Sequence, residues 1–172
     1  MLLYQGAAIG HADFAVGRYV VQDLSEFFKK SSTATKGFYP MDYAVVSFRS
    51  YSVGQEAANE LLNEGFESDK VHFIPAKAFL EFLDEQESSM TGMLMNALSR
   101  GIQTESAKSE SDAERARMGA SFVAVYCPKE VDAMRVLELV REFNPMAFDY
   151  YQPGGVQSPL QPGPADPVAI RK

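Results

Sequence analysis

The chain has 172 residues, 46% of them hydrophobic, with a formal net charge of −7 and a pI near 4.9. That length suits one domain with a core of ordinary size, and the acidic surface, which repels phosphate backbones and anionic lipid, argues against nucleic acid and membrane as partners. A single cysteine, Cys127, excludes an intramolecular disulfide and gives no sign of an oxidising compartment.

The opening MLLYQGAAIGHADF lacks the basic flank and long apolar run of a secretory signal, and no run of 18 apolar residues occurs. A soluble, cytoplasmic protein is expected. Residues 1–13 show no periodicity. From Phe14 to Lys30 two readings stand. Phe14, Tyr19, Val20, Leu24, Phe27 and Phe28 recur at helical spacing, with Asp13 as a candidate N-cap. Gly17 and the pair Val20-Val21 admit a short strand instead. A helix is expected at 23–30, with 14–22 open. Residues 31–40, SSTATKGFYP, read as a linker. Residues 1–40 thus form an N-terminal extension with a helix.

Tyr43–Arg49, YAVVSFR, is a strand apolar on both faces, which predicts cover on both sides. Ser52 and Gln55 fit a capping box. The helix they open carries Ala57, Ala58, Leu61 and Leu62 on one face and stops at Gly65. Val71–Ile74 is a second strand, closed by Pro75. Helices are predicted at Ala76–Glu85 and Ser88–Arg100. Residues 103–117, QTESAKSESDAERAR, read as a solvated helix or a mobile loop.

Ser121–Cys127 is the third strand, with Pro128 suited to the first turn of the next helix. Ala133, Val136, Leu137, Val140 and Phe143 share that helix's apolar face, and Asn144-Pro145 ends it. Met146–Tyr151 is the fourth strand. The last segment, 153–172, holds five prolines among its residues and reads as a flexible tail.

The order β-α-β, helical insert (76–120), β-α-β predicts an α+β fold of ferredoxin-like type over residues 41–152, with the first and third strands central. One sheet face takes the two crossover helices. The other needs a lid from 14–30 or 76–100, or a second subunit, and at least a dimer is expected.

AVVSFRSYSVGQEAANELLNEGFESDKVHFIPA and SDAERARMGASFVAVYCPKEVDAMRVLELVREFN resemble two halves of the bacterial general stress protein family, also called heat- or low-temperature-induced proteins. The likeness spans about residues 43–151. It rests on an alanine-rich helix with a glycine stop, on Asp112-Ala113-Glu114, on Gly119 before the third strand, and on Ala147-Phe148-Asp149. The Met-rich, polar centre departs from that family's Gly/Ala-rich one. The resemblance implies a stress-associated accessory protein and carries over no catalytic residue.

Residues with chemical potential each have a plainer reading. His11 and Asp13 form an H-x-D pair, but two ligands do not make a metal site. His72 reads as a half-buried sheet histidine. Cys127, beside a helix N-terminus, could be activated, yet lacks an evident base and reads as a buried thiol. Glu110, Asp112 and Glu114 read as a solvated face, and Met90, Met93 and Met95 as core. Tyr126, Phe148, Tyr150 and Tyr151 resemble base-stacking aromatics, which the net charge opposes. The sequence contains no Gly-rich phosphate loop, G-x-S-x-G or C-x-x-C. It assigns no catalytic residue, no metal site and no cofactor. The expected function is a non-enzymatic, stress-associated binding or regulatory module acting through oligomerisation or protein contact. The alternative is a small-molecule sensor or enzyme with its site at a dimer seam.

Overall fold

The structure, a computed structural model, describes residues 23–32, 37–88 and 103–160. Residues 89–100 of the helix predicted at Ser88–Arg100 and the open segment 14–22 lie outside them. The elements in chain order are α1 (Ser25–Ser31), β1 (Tyr43–Phe48), α2 (Tyr51–Asn63), β2 (Val71–Ile74), α3 (Ala76–Ser88), α4 (Gln103–Arg117), β3 (Ser121–Tyr126), α5 (Glu130–Val140), a 3-10 turn (Arg141–Phe143), β4 (Ala147–Gln152) and β5 (Gly155–Gln157). The fold is α+β, with one five-stranded sheet in the order β2-β3-β1-β4-β5, antiparallel at every pairing.

The two strands that are apolar on both faces, β1 and β3, lie inside the sheet, paired from Tyr43↔Tyr126 to Phe48↔Ser121. Alternation along each strand then divides the side chains between two cores. Ala44, Val46, Phe48, Val71, Phe73, Val123, Val125, Phe148 and Tyr150 face α2 and α5, which bring Ala57, Ala58, Leu61, Ala133, Val136 and Val140. Burial of each larger side chain here stabilises the fold by about 1.5–3 kcal/mol. α2 begins at Ser50, whose hydroxyl accepts from Val53 N at 3.3 Å. The cap is therefore Ser50 and not the predicted Ser52, because Ser50 is the residue with extended backbone before the first turn. At the other end Gly65, at φ +96°, permits Phe66 N to donate to Leu61 O and Gly65 N to Leu62 O. α5 starts at Glu130 with Lys129 in the N-cap position, so Pro128 lies two residues before the helix and not in its first turn as predicted.

The second face is filled by the chain itself. Val45, Ile74, Phe122, Ala124 and Tyr151 meet Phe27 of α1, Phe38, Phe79 and Phe82 of α3, and Ala116 of α4. Phe38 touches Phe27, Phe79, Phe82 and Tyr151 edge-on, with ring centroids 5.2–6.2 Å apart. The α1 and α3 lids thus remove the reason for placing a second subunit over this face.

Two further expectations change. Residues 103–117 form a helix packed on the fold rather than a wholly solvated one: Asp112, Ala113 and Ala116 are buried. Within the segment read as a flexible tail, Gly155–Gln157 add a fifth strand to β4, in register Tyr150↔Gln157 and Tyr151↔Val156. Pro153 and Gly154 form the turn between them, so residues lacking apolar periodicity still gain a ladder by following β4 through a tight reversal.

Candidate functional site

Under α4 lies a cluster of charged side chains. Its helix half comes from Lys108, Asp112 and Arg115, spaced i, i+4, i+7 and therefore on one face. The small residues Ala113 and Ala116, both buried, let that side of α4 approach the sheet. Gly119, at φ +90°, closes the helix: Ala120 N donates to Arg115 O and Gly119 N to Ala116 O, turning the chain into β3.

The sheet half comes from β4. Ala147, Asp149 and Tyr151 alternate onto the second face, and Asp149 pairs in register with Val45. The Asp149 carboxylate is 2% exposed, which demands a partner. It has two: Lys108 Nζ forms an ion pair with it, and Ser158 Oγ donates a hydrogen bond to it. The β4–β5 hairpin puts Ser158 there, because the residue after Gln157 falls opposite Asp149 when the ladder is continued. Arg115 Nη1 donates to Asp112 Oδ1 at 2.6 Å. Two carboxylates are thus matched by two cations.

The match is uneven. Burial raises the Asp112 carboxyl to about 6, and neighbouring Asp149 adds to the rise, while Lys108 and Arg115 oppose it. Tyr151 lies 1% exposed, and its hydroxyl has no hydrogen-bond partner among the described residues. Burial first, then the charges of Asp112 and Asp149, hold its ionisation well above the ordinary tyrosine range. Ser47 Oγ, on the same sheet face of β1, is likewise buried without a partner among the described residues. Tyr39, which also acts on Tyr151, donates from its hydroxyl to Gln152 O at 2.6 Å and so ties residue 39 to β4.

The residues singled out by sequence are dispersed. His11, Asp13, Met90, Met93 and Met95 lie outside the described residues. Among the described residues no group of three or more acidic, His or Cys side chains could hold a metal ion. His72 is half-buried on β2, stacked on Phe27 with centroids 4.7 Å apart, and 3.4 Å from the Tyr43 hydroxyl. Burial lowers its pKa. Cys127 is fully buried and its thiol is pushed up to about 12 by desolvation, which leaves no thiolate for chemistry. Glu110 and Glu114 are exposed as expected, but Asp112 is buried. Tyr126 and Tyr151 lie on one sheet face, and Phe148 and Tyr150 on the other, so no shared stacking surface forms. Lys108, Arg115 and Ser158 were missed. Their one sequence signal is the i, i+4, i+7 spacing of Lys108, Asp112 and Arg115, with the lone acid Asp149 inside the apolar strand AFDYY.

Three large apolar side chains are exposed at one end of the sheet. Tyr51 starts α2 just past β1, Met118 lies just before β3, and Met146 just before β4. Phe48↔Ser121 and Ser47↔Ala147 pair at that same end. Their exposures are 44%, 67% and 41%. Among the described residues no helix is long and apolar enough to cross a membrane. No family model, curated protein or solved structure matches the chain, so its own geometry carries the functional reading.

Proposed function

We propose that this chain is a non-enzymatic binding or regulatory module, cytoplasmic and stress-associated, that works through protein contact, with self-association its first form. The domain is read as ferredoxin-like. The order β2-β3-β1-β4, with α2 and α5 on one face, supports that reading. The stress association rests on the likeness of residues 43–151 to general stress proteins. Nucleic acid is not a partner in this reading, in keeping with the charge of −7.

The observation that carries the proposal is the exposed group Tyr51, Met118 and Met146 at one end of a sheet whose two faces are already filled. Large apolar side chains left exposed favour contact with another protein surface, and Met41, Tyr126 and Val131 are exposed as well at the opposite end of the sheet. Methionine adapts to varied partners. The thiol is meanwhile buried in the first core, and the sheet histidine is half-buried against Phe27.

One observation favours the alternative of a small-molecule sensor: the polar cluster under α4 includes Tyr151, whose buried hydroxyl has no hydrogen-bond partner among the described residues. Native mass spectrometry of the purified full chain separates the two. A dimer without added mass supports the contact module. A species that retains a small molecule, as a ligand site at a dimer seam would, supports the sensor.

A further inference from the structure

We propose that copies of this chain join head to tail: the end of the sheet with Tyr51, Met118 and Met146 on one copy sits against the end with Met41, Tyr126 and Val131 on the next. The proposal rests on the self-association read above and gives it a geometry.

Every large apolar side chain exposed among the described residues lies at one of these two ends. The register separates them. β1 pairs Phe48↔Ser121 at the first end and Tyr43↔Tyr126 at the second. Met41 precedes β1 at the second end, where Asp42 O accepts from Cys127 N at 2.7 Å, and Val131 lies in the first turn of α5 just past β3. Met41, Tyr126 and Val131 are 44%, 37% and 68% exposed. The faces between the ends are closed by α2 and α5 and by α1 and α3. A partner seeking large apolar side chains finds them at the ends.

The two ends differ in charge. On the segments joining the elements, the first end carries Arg49, Arg117 and Arg141 against Glu142, all exposed. The second end carries Lys70 paired with Glu67 at 2.7 Å, and then Asp42, Glu64, Asp69 and Glu130 against Lys129. One turn further into the helices both signs occur at each end: Lys77 and Glu114 at the first, Asp132 and Arg135 at the second. Among the described residues the first end is therefore basic and the second acidic.

Two like ends pressed together would set arginine against arginine, or carboxylate against carboxylate, around the apolar groups. Opposite ends set arginines against carboxylates. Such a contact is heterologous, so each pair keeps one free end of each kind. Because the ends lie at opposite extremities of one sheet, the pair does not close on itself, and further copies add in line.

Sedimentation velocity of the full chain at rising concentration tests this, with circular dichroism to check folding. The wild type should form a pair first and larger species at higher concentration. Met118→Glu damages only the first end and Val131→Lys only the second, at positions 67% and 68% exposed. Each variant alone should associate roughly tenfold more weakly or worse, since each buries a charge facing its own sign. Their equimolar mixture should associate again, because each variant brings the end that the other has lost. If Val131→Lys fails to fold, Asp69→Lys, exposed at the same end, replaces it. The proposal is overturned if the second-end variant assembles as the wild type does, if the mixture stays monomeric, or if the wild-type mass stops at twice 19.0 kDa however concentrated. A second-end variant that assembles normally beside a monomeric Met118→Glu leaves the contact module standing on its first end. A wild-type chain that stays at 19.0 kDa removes both.

Discussion

Gly54 of α2 lies directly against Ser121 of β3: a Cβ placed on Gly54 would collide with Ser121 Oγ and stand 3.1 Å from the Phe73 ring. Ser121 cannot easily yield, since its hydroxyl donates to Ser50 O at 2.7 Å, at the cap of the same helix. The missing side chain sets how closely α2 sits on the sheet. Gly54→Ala is expected to destabilise the fold by about 1–3 kcal/mol through overpacking, despite alanine's better helix propensity. Urea denaturation measures this. An unchanged or raised midpoint would contradict the close contact.

The Asp112 carboxyl makes a signed prediction for global stability. Its folded pKa, about 6, lies above the ordinary 3.8. Its stabilising contribution is present below 3.8 and is lost as pH rises through 6. Asp112→Asn removes this dependence. The stability of the variant relative to wild type should therefore improve by about 2 kcal/mol between pH 4 and pH 7.5. Paired urea titrations at the two pH values read the difference directly. A relative stability that stays constant or falls would contradict the placement of Asp112.

The strands and the helices facing the first core were legible in the sequence because burial there is periodic. Runs that are apolar on both faces, YAVVSF and SFVAVY, mark central strands, and Ala133, Val136, Leu137 and Val140 mark one helix face. α4 was not legible as a packed element. Its buried positions among the described residues are two alanines and Asp112, and its sequence lacks the apolar periodicity that reveals other helices. β5 was obscured by Pro and Gly, which suit both a flexible tail and a hairpin turn. The charged cluster joins positions some forty residues apart, Lys108 to Asp149, and Ser158 beyond them. Local spacing shows the helix half of such a cluster and says nothing of the strand it will meet.

Residues 153–160 contribute to the fold and are expected to separate two truncations. A chain ending at Gln152 loses the β5 ladder, the Ser158–Asp149 hydrogen bond and the packing of Leu160 on the first core. A chain ending at Leu160 keeps all three. The shorter chain should melt lower, by an amount corresponding to about 1–3 kcal/mol for an unsatisfied buried acceptor. The longer chain should melt above the shorter one. Equal melting of both would contradict the structural role of the hairpin.

Cys127 is expected to be silent in the native state. It is fully exposed only on unfolding, and its thiol is held up at about 12 by desolvation. At pH 8 an aromatic disulfide reagent should label it no faster than the protein unfolds, and completely in guanidinium. Rapid native labelling would show that the thiol is accessible and would restore it as a chemical candidate.

The proposed contact surface is tested most directly by sedimentation velocity of the full chain at micromolar concentration, wild type beside Met118→Glu. Met118 is 67% exposed, so the substitution should leave folding intact, which circular dichroism confirms alongside. The account predicts that the wild type sediments as a species of twice 19.0 kDa and that Met118→Glu shifts it toward the monomer. A wild-type chain that sediments only as a single 19.0 kDa species, or a dimer that Met118→Glu leaves intact, would contradict it.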